Sequence, residues 1–138
     1  MSLFGGLSIS ASGLTAERVR MDVIAENLAN AESTRGVDGQ PYKRKLVVLG
    51  AAAGGGSSFA DTLAGVRVKG VVDDPSPGRK VYDPTHPDAD KQGFLTMPNV
   101  NTVSEMVDLI TATRGYEANI QALNAAKTMF SRTLEILR

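Results

Sequence analysis

The chain has 138 residues with 15 basic and 15 acidic side chains, so its formal net charge is zero. The charges are spread evenly along the chain, which argues against electrostatic binding to nucleic acid or to an anionic membrane. The chain has no cysteine, which excludes disulfides and thiolate metal sites. No run approaches the roughly 20 apolar residues of a membrane span, so we expect no membrane insertion.

The first residues, MSLFGGLSISASG, do not resemble a secretory signal. They have no positive region at the start, and Gly5, Gly6 and several serines interrupt any apolar segment. If the protein leaves the cytoplasm, we expect a route that keeps this N-terminus.

Residues 7–30 are predicted to form the first helix, which ends before the breakers of STRGVDGQP. Its apolar side chains recur at helical spacing: Leu7, Leu14, Met21, Ile24 and Leu28. Two asparagines, Asn27 and Asn30, interrupt this helix, although asparagine competes for backbone hydrogen bonds and is a poor helix former.

The middle of the chain is predicted to be β-rich. Short strands are expected in YKRKLVVL (42–49), VRVKGVV (66–72), RKVYD (79–83) and GFLTM (93–97). The basic cluster Lys43, Arg44 and Lys45 is interpreted as the exposed start of the first strand. The small-residue stretch 50–58, GAAAGGGSS, has nothing to pack and is predicted to be a flexible loop.

Residues 102–137 are predicted to form a longer helix, with Thr102 and Glu105 as a capping box. Ten positions follow at alternating intervals of three and four residues, and eight of them are apolar. They are Met106, Leu109, Thr113, Tyr116, Ile120, Leu123, Lys127, Phe130, Leu134 and Leu137. Gly115 interrupts this helix at a cost of about 1 kcal/mol relative to alanine.

The two terminal helices must pair with each other or with other molecules, and the second is too long for the first to cover. Alanines would allow close helix packing, and buried amides such as those of Asn119 and Asn124 would fix register. The simpler alternative is that these amides lie on the solvated face of a two-helix hairpin. The pattern by itself leaves both open.

The segment 83–99 offers weaker alternatives. Asp88, Asp90 and Gln92 stand at the first, third and fifth places of a calcium-type loop, but its twelfth place holds Asn99 in place of glutamate. His86 lies near two aspartates, yet the sequence supplies no nucleophile or orienting partner for catalysis. The alternatives are therefore a calcium-binding module or an exported periplasmic accessory enzyme, such as a wall-cleaving one.

Three stretches resemble the flagellar rod and hook protein family. SGLTAERVRMDVIAENLANAEST is similar to its N-terminal signature, centred on the segment 25–30, Ala-Glu-Asn-Leu-Ala-Asn. GQPYKRK is similar to the motif that follows it. The C-terminal stretch from Val81 to Phe130 is similar to the corresponding block of the proximal rod subunits, and the part 81–101 is specific for them.

The resemblance implies a fold that is mainly α with a small β insert. Paired, coiled-coil-like N- and C-terminal helices (1–34 and 102–138) would form an inner helical domain, and a short β-hairpin or β domain (35–101) would lie outside it. It implies a structural subunit of the proximal rod, in the flagellar basal body of the periplasm. Such a protein is not an enzyme and needs no cofactor or metal.

The implied partners are further copies of the chain, other rod subunits and the flagellar type III export apparatus, which would export the chain without cleaving it. The predicted subunit-interface residues lie on the two helices. They are Leu7, Leu14, Met21, Ile24, Asn27, Leu28, Asn30, Met106, Leu109, Tyr116, Asn119, Ile120, Leu123, Asn124, Phe130, Leu134 and Leu137.

Overall fold

The computed structural model describes residues 3–36, 39–52 and 65–136, and it confirms a mainly α fold with a small central β region. The elements in chain order are α1 (Leu3–Ala29), β1 (Lys45–Ala51), β2 (Val66–Asp73), β3 (Arg79–Tyr82), β4 (Phe94–Met97) and α2 (Thr102–Ile136). Residues 53–58 of the predicted flexible loop and Leu137 of the predicted interface lie outside the described residues. Neither helix has a described stretch apolar enough to cross a membrane.

The two helices pack side by side and antiparallel. Asn27, near the end of α1, donates a hydrogen bond to Glu105 at the start of α2. Gly13, near the middle of α1, lies against Asn119. In this register the first residue of α1 lies beside about residue 129 of α2. The last turns of α2 therefore extend beyond α1, as the difference in helix length predicts.

Strands β1 and β2 form an antiparallel ribbon that runs along α1. Lys45, the first residue of β1, is bound by Asn27, and the N–H of Val66, the first residue of β2, donates to the hydroxyl of Ser12 at 3.0 Å. The helix rises about 22 Å between these two anchors, and β1 has a similar length of about 20 Å. The matching lengths allow both ends of the ribbon to contact α1. A register shift between Val48 and Leu49 marks a β-bulge.

Strands β3 and β4 form a second hairpin, with Tyr82 paired to Phe94. Their rings meet edge to face, with centroids 5.3 Å apart. Gly93 adopts a φ of 81°, and a Cβ there would lie 2.9 Å from the Tyr82 ring. A glycine is therefore required at this position, because other residues rarely adopt this φ and would also collide with Tyr82.

The predicted capping box at the start of α2 is wrong. Asn101 is the N-cap, since its side-chain oxygen accepts from the N–H groups of Val103 (3.1 Å) and Ser104 (3.2 Å). Thr102 is the first residue of the helix. Glu105 does not fold back on the helix start, because its carboxylate is buried and bound to Arg44 and Asn27.

The apolar positions predicted along α2 divide between two sides of the helix. Leu109, Tyr116 and Leu123 are half-buried, in line with the fully buried Ala112. Met106, Ile120, Phe130 and Leu134 are exposed. The small Ala112 is fully buried, at 0% exposure, and the sequence pattern of large apolar residues did not include it.

Candidate functional site

A buried polar cluster joins the helix pair to β1, and Asn27 is at its centre. Its side-chain amide donates to the Lys45 carbonyl (2.9 Å) and to Oε2 of Glu105 (3.0 Å). Its oxygen accepts from the Lys45 N–H (2.8 Å) and the Tyr42 hydroxyl (2.9 Å). Asn27 is only 1% exposed, so its full hydrogen-bonding capacity is used inside the chain.

The two bonds to Lys45 explain why the residue is an asparagine. The amide binds the N–H and the C=O of one strand residue, as a neighbouring strand would. An Asp side chain has no N–H to donate, and leucine has neither donor nor acceptor. The requirement for this pair of groups overrides the poor helix propensity of asparagine.

Arg44 connects the cluster to a further residue of α2 and to the turn that follows β2. Its Nε donates to Oε1 of Glu105 at 2.6 Å, and its guanidinium also lies 3.5 Å from Asp108 and 3.8 Å from Asp74. Glu105 is 1% exposed. Arg44 is therefore the cation that compensates a buried carboxylate, and its interpretation as the exposed start of a strand is wrong.

Asn99 fixes the chain just before α2. Its side-chain oxygen accepts from the N–H of Arg44 at 2.7 Å, and its amide donates to the carbonyls of Asp74 (3.3 Å) and Ser76 (3.1 Å). One side chain thus joins the segment before β1, the turn after β2 and the entry to α2. Asn99 is structural, and its amide groups are not available to a calcium ion.

The charge states of the cluster follow from these contacts. Burial raises the pKa of Tyr42, and the nearby Glu26 carboxylate raises it further, so this hydroxyl remains a hydrogen-bond donor to Asn27. The hydrogen bond to Glu26 raises the pKa of Lys45. Hydrogen bonds from Ser76 lower the pKa of Asp74, and the positive charge of Arg44 lowers it further. These residues keep their usual charges around neutral pH.

Asn30, the other asparagine of the signature, ends α1. Its amide donates to the Glu26 carbonyl at 2.9 Å, and its side-chain oxygen accepts from the Ser33 hydroxyl at 3.2 Å. Groups left unpaired at a helix end need such partners. The two asparagines therefore have different tasks, one joining α1 to β1 and the other terminating the helix.

Glycines allow close contact between the helices at two places. A Cβ on Gly13 would lie 3.0–3.2 Å from the amide of Asn119, and a Cβ on Gly115 would lie 3.3 Å from the carboxylate of Glu17. Each helix thus places a glycine under a polar side chain of the other. The helix-propensity cost of Gly115 is therefore explained by its close contact with Glu17 on α1 of the same chain.

We expect Gly13→Ala and Gly6→Ala to change stability in different ways. Both substitutions gain up to about 1 kcal/mol of helix propensity. A Cβ on Gly6 meets nothing within 4 Å, so this variant should be more stable than the parent chain. A Cβ on Gly13 displaces Asn119, so this variant should gain less or lose stability. Urea unfolding followed by circular dichroism measures the difference, and equal gains would contradict a close contact at Gly13.

The loop 83–93, the basis of both alternative functions, is held by bonds within the chain. The Asp88 carboxylate accepts from the Thr34 hydroxyl at 2.9 Å. Asp90 accepts from the N–H groups of Gln92 (2.8 Å) and Phe94 (2.9 Å). Nδ1 of His86 accepts from the N–H of Asp88 at 3.1 Å. Among the described residues, no group of three His, Asp or Glu side chains could hold a metal ion.

Asp83 has a lowered pKa because it accepts hydrogen bonds from Thr85, at 2.7 Å from the hydroxyl and 3.0 Å from the N–H. The stabilisation of this turn is therefore present above the ordinary carboxylate pKa and is lost as the pH falls through the lowered value. We expect Asp83 to titrate below the ordinary pKa of an aspartate, and Thr85→Ala to raise its pKa. An NMR pH titration measures both, and an unchanged pKa in the variant would contradict the hydroxyl bond.

The structure places the predicted interface residues in three environments. Ile24 and Asn27 are buried within the chain. Half-buried positions are Leu7, Leu14, Met21, Leu28, Asn30, Leu109, Tyr116, Asn119 and Leu123. Exposed positions are Met106, Ile120, Asn124, Phe130 and Leu134. Of these, Met106, Ile120 and Leu134 are accessible to another subunit. Asn27 has no free donor or acceptor for one.

Sequence reasoning missed Arg44, Tyr42 and Asn99 as partners of the cluster. The available signal was chemical, because a helix pair that buries Asn27 and Glu105 requires a cation and further donors nearby. The segment 42–45, which follows α1 in the chain, supplies them. Nothing in the spacing indicated which of the three basic residues would pair with Glu105.

Known families match both ends of the chain. The family model described as flagella basal body rod protein matches residues 7–36, and the one described as flagellar basal body rod FlgEFG protein C-terminal matches residues 91–136. The chain is 46% identical to the flagellar basal-body rod protein FlgC of Bacillus subtilis, with 99% of each chain covered.

Two further relatives agree over nearly their full lengths. The FlgC proteins of Borreliella burgdorferi and Escherichia coli are 42% and 43% identical to the chain, and the alignments cover 98% or more of every sequence. The matches include both helices and the β region between them. The chain therefore belongs to the FlgC family of flagellar basal-body rod proteins.

Proposed function

We propose that this chain is a structural subunit of the proximal rod of the bacterial flagellum, and that it assembles with copies of itself and with other rod subunits around the export channel. The observation that carries this proposal is the exposed surface of the single chain. Its accessible area is 9840 Å², whereas a compact monomer of 14.6 kDa exposes about 6,900 Å². The excess area is available for packing against neighbours.

Many large apolar side chains contribute to the exposed surface. Among the described residues, 16 large hydrophobic side chains are exposed and five hydrophobic residues are buried. Nine of the exposed ones lie on α2. Exposed apolar side chains in this number are typical of a protein–protein interface. A structural subunit in an assembly accounts for it, whereas an isolated enzyme or calcium module does not.

The buried polar cluster supports the same function. It ties both helices and β1 into one unit through charged and amide groups, so that load applied to the helices is transmitted to the β region through hydrogen bonds. Such networks favour one unique arrangement of the elements. A subunit that transmits torque benefits from this rigidity, and we infer that the cluster is the reason for the Asn27 signature.

Location and export belong to the same proposal. We infer that the subunit reaches the periplasmic part of the basal body through the flagellar type III export apparatus, without cleavage of its N-terminus. The helix pair would form the inner layer of the rod and the strands would face outward. The finding that supports this arrangement is the distribution of exposed apolar side chains, most of which lie on α2.

The test uses a flagellated strain that lacks its own copy of this subunit. The chain should restore swimming and should purify with basal bodies. We expect Ile120→Glu to abolish both, because it puts a charge on an exposed apolar position of α2. Gln121→Glu is the matched control, since the neighbouring Gln121 is already polar and exposed.

Circular dichroism of the purified variants separates misfolding from failed assembly. Both variants should show the helix content of the parent chain, since both positions are exposed. Failure of the parent chain to purify with basal bodies would contradict the proposed function. Full swimming by the Ile120→Glu variant would show that this position is not part of the interface.

A further inference from the structure

Four turns in the described part of the β region are closed in the same way, by a side chain that accepts a hydrogen bond from the backbone N–H two residues further on. In three of them the acceptor is an aspartate carboxylate, at 2.8–3.0 Å, and the pairs are Asp74 with Ser76, Asp83 with Thr85, and Asp90 with Gln92. In the fourth, Nδ1 of His86 accepts from the N–H of Asp88 at 3.1 Å. An imidazole nitrogen accepts only while it carries no proton, so protonation of His86 opens this turn.

Asp88 also joins this turn to the segment that follows α1. Its Oδ2 accepts from the Thr34 hydroxyl at 2.9 Å, and its Oδ1 lies 3.4 Å from the Arg35 guanidinium. Within the described residues, these two contacts are the hydrogen bonds between the loop 83–93 and that segment. Arg35 is 71% exposed, and an ion pair of such a residue contributes little. The attachment of the loop therefore depends mainly on the oxygen that Thr34 binds.

The imidazole of His86 lies close to that same oxygen. The distance from Nδ1 of His86 to Oδ2 of Asp88 is 4.0 Å. A protonated Nδ1 is a donor, so it cannot face the N–H of Asp88, whereas a rotation of the ring brings it onto the Asp88 carboxylate. Asp83 is the second carboxylate near His86, but its Oδ1 already accepts two hydrogen bonds from Thr85. Arg35 is the cation that competes with His86 for Asp88.

We propose that His86 and Asp88 form a proton-operated latch between the loop 83–93 and the segment that follows α1. While His86 is neutral, the turn is closed and Oδ2 of Asp88 is bound by Thr34. Protonation breaks the bond from the Asp88 N–H, and the imidazolium then binds Oδ2 and weakens the bond from Thr34. Histidine is the side-chain type whose ordinary charge change falls between pH 5 and 8, so the attachment of the loop changes with acidity in that range.

The latch acts on the position of the loop and leaves the β3–β4 hairpin intact. The strand pairing runs from Arg79 with Met97 to Tyr82 with Phe94, and the N–H of Asp83 donates to the Gly93 carbonyl at 2.9 Å. These bonds lie outside the turn at residues 86–88 and do not involve the imidazole. We therefore expect protonation to loosen the loop from the segment after α1 without unfolding the hairpin.

NMR of the purified full chain between pH 5 and 8 tests this latch. The amide signal of Asp88 and the methyl signal of Thr34 should shift with the same midpoint as the ring protons of His86. Hydrogen exchange of the Asp88 N–H, compared with the rate of an unfolded chain at the same pH, should lose protection several-fold when His86 is protonated. The N–H of Ser76 is the internal control, since an aspartate closes that turn, and its signal and protection should stay constant.

His86→Asn is the matched variant, because an asparagine side chain closes the same kind of turn and does not titrate. The signals of Asp88 and Thr34 should then stay constant between pH 5 and 8. In Asp88→Asn the carboxylate is absent, so the N–H at position 88 should still lose protection when His86 is protonated, while the Thr34 signal no longer responds.

Three results would overturn the proposal. The first is an Asp88 N–H that keeps its protection when His86 is protonated, since the turn would then stay closed. The second is a Thr34 signal that does not follow the titration of His86. The third is a Thr34 response that persists in Asp88→Asn, since it would show that the charge of His86 acts without the carboxylate. These outcomes concern the isolated chain and leave the proposed function to its own test.

Discussion

Replacing Asn27 by alanine is expected to lower the free energy of unfolding by about 3–4 kcal/mol. The substitution removes four hydrogen bonds at once. It leaves the N–H and C=O of Lys45 without their partner, and Oε2 of Glu105 loses its donor. Buried groups without partners are costly, because water cannot replace the lost bonds.

Urea unfolding of the full chain, followed by circular dichroism, measures this effect. Asn124→Ala is the matched control, since Asn124 is exposed on α2, and it should change stability by less than about 0.5 kcal/mol. Asn27→Asp should be destabilised as well, since it loses both donors and places a carboxylate beside Glu105. Equal stability of Asn27→Ala and Asn124→Ala would contradict the central role of Asn27.

The helices were predictable because their signal is local. Apolar spacing located α1 and α2 to within a few residues of their observed ends. The strands were also located, since VRVKGVV alternates and the turn residues bound it. The antiparallel helix pair follows from having two apolar helices at the ends of a short chain, with a β region between them.

The polar cluster was not predictable in the same way, because it depends on residues distant in sequence. Glu105 matches a capping pattern in its local sequence. In the structure its carboxylate is instead buried against Asn27 and Arg44. Arg44 looked like a surface residue because its neighbours Lys43 and Lys45 are basic. Local sequence rules describe the preference of a residue among its neighbours in sequence. They do not show with which charged residue, distant in sequence, it will pair.

The small residues in the contact between α1 and α2 were not predicted, for a related reason. Large apolar residues define a hydrophobic pattern, whereas close contacts between α1 and α2 occur at Gly13 and Gly115, and Ala112 is fully buried. Small residues contribute little to such a pattern, but they decide how near two helices can come. Exposed large residues of α2 such as Met106 and Ile120 remain accessible to other subunits, which is consistent with the proposed assembly.

Replacing Arg44 and replacing Glu105 are expected to lower the free energy of unfolding by different amounts. Arg44→Met leaves the Glu105 carboxylate, 1% exposed, with the hydrogen bond from Asn27 but without its cation, and we expect a loss of about 3–5 kcal/mol. Glu105→Gln should cost less, because Arg44 keeps Asp74 and Asp108 nearby. The asymmetry arises because the carboxylate is the more deeply buried charge.

The double variant isolates the interaction between the two residues. In the Glu105→Gln background the carboxylate that Arg44 compensates is gone, so adding Arg44→Met should cost about 2 kcal/mol less than it costs in the parent chain. Arg114→Met is the matched control for the arginine substitution, since Arg114 is exposed on α2, and its effect should be the same in both backgrounds. Equal costs of Arg44→Met in the two backgrounds would show that the arginine acts through packing alone. A large coupling would show that charge compensation at Glu105 holds the segment before β1 against α2, and hence the β region against the helix pair.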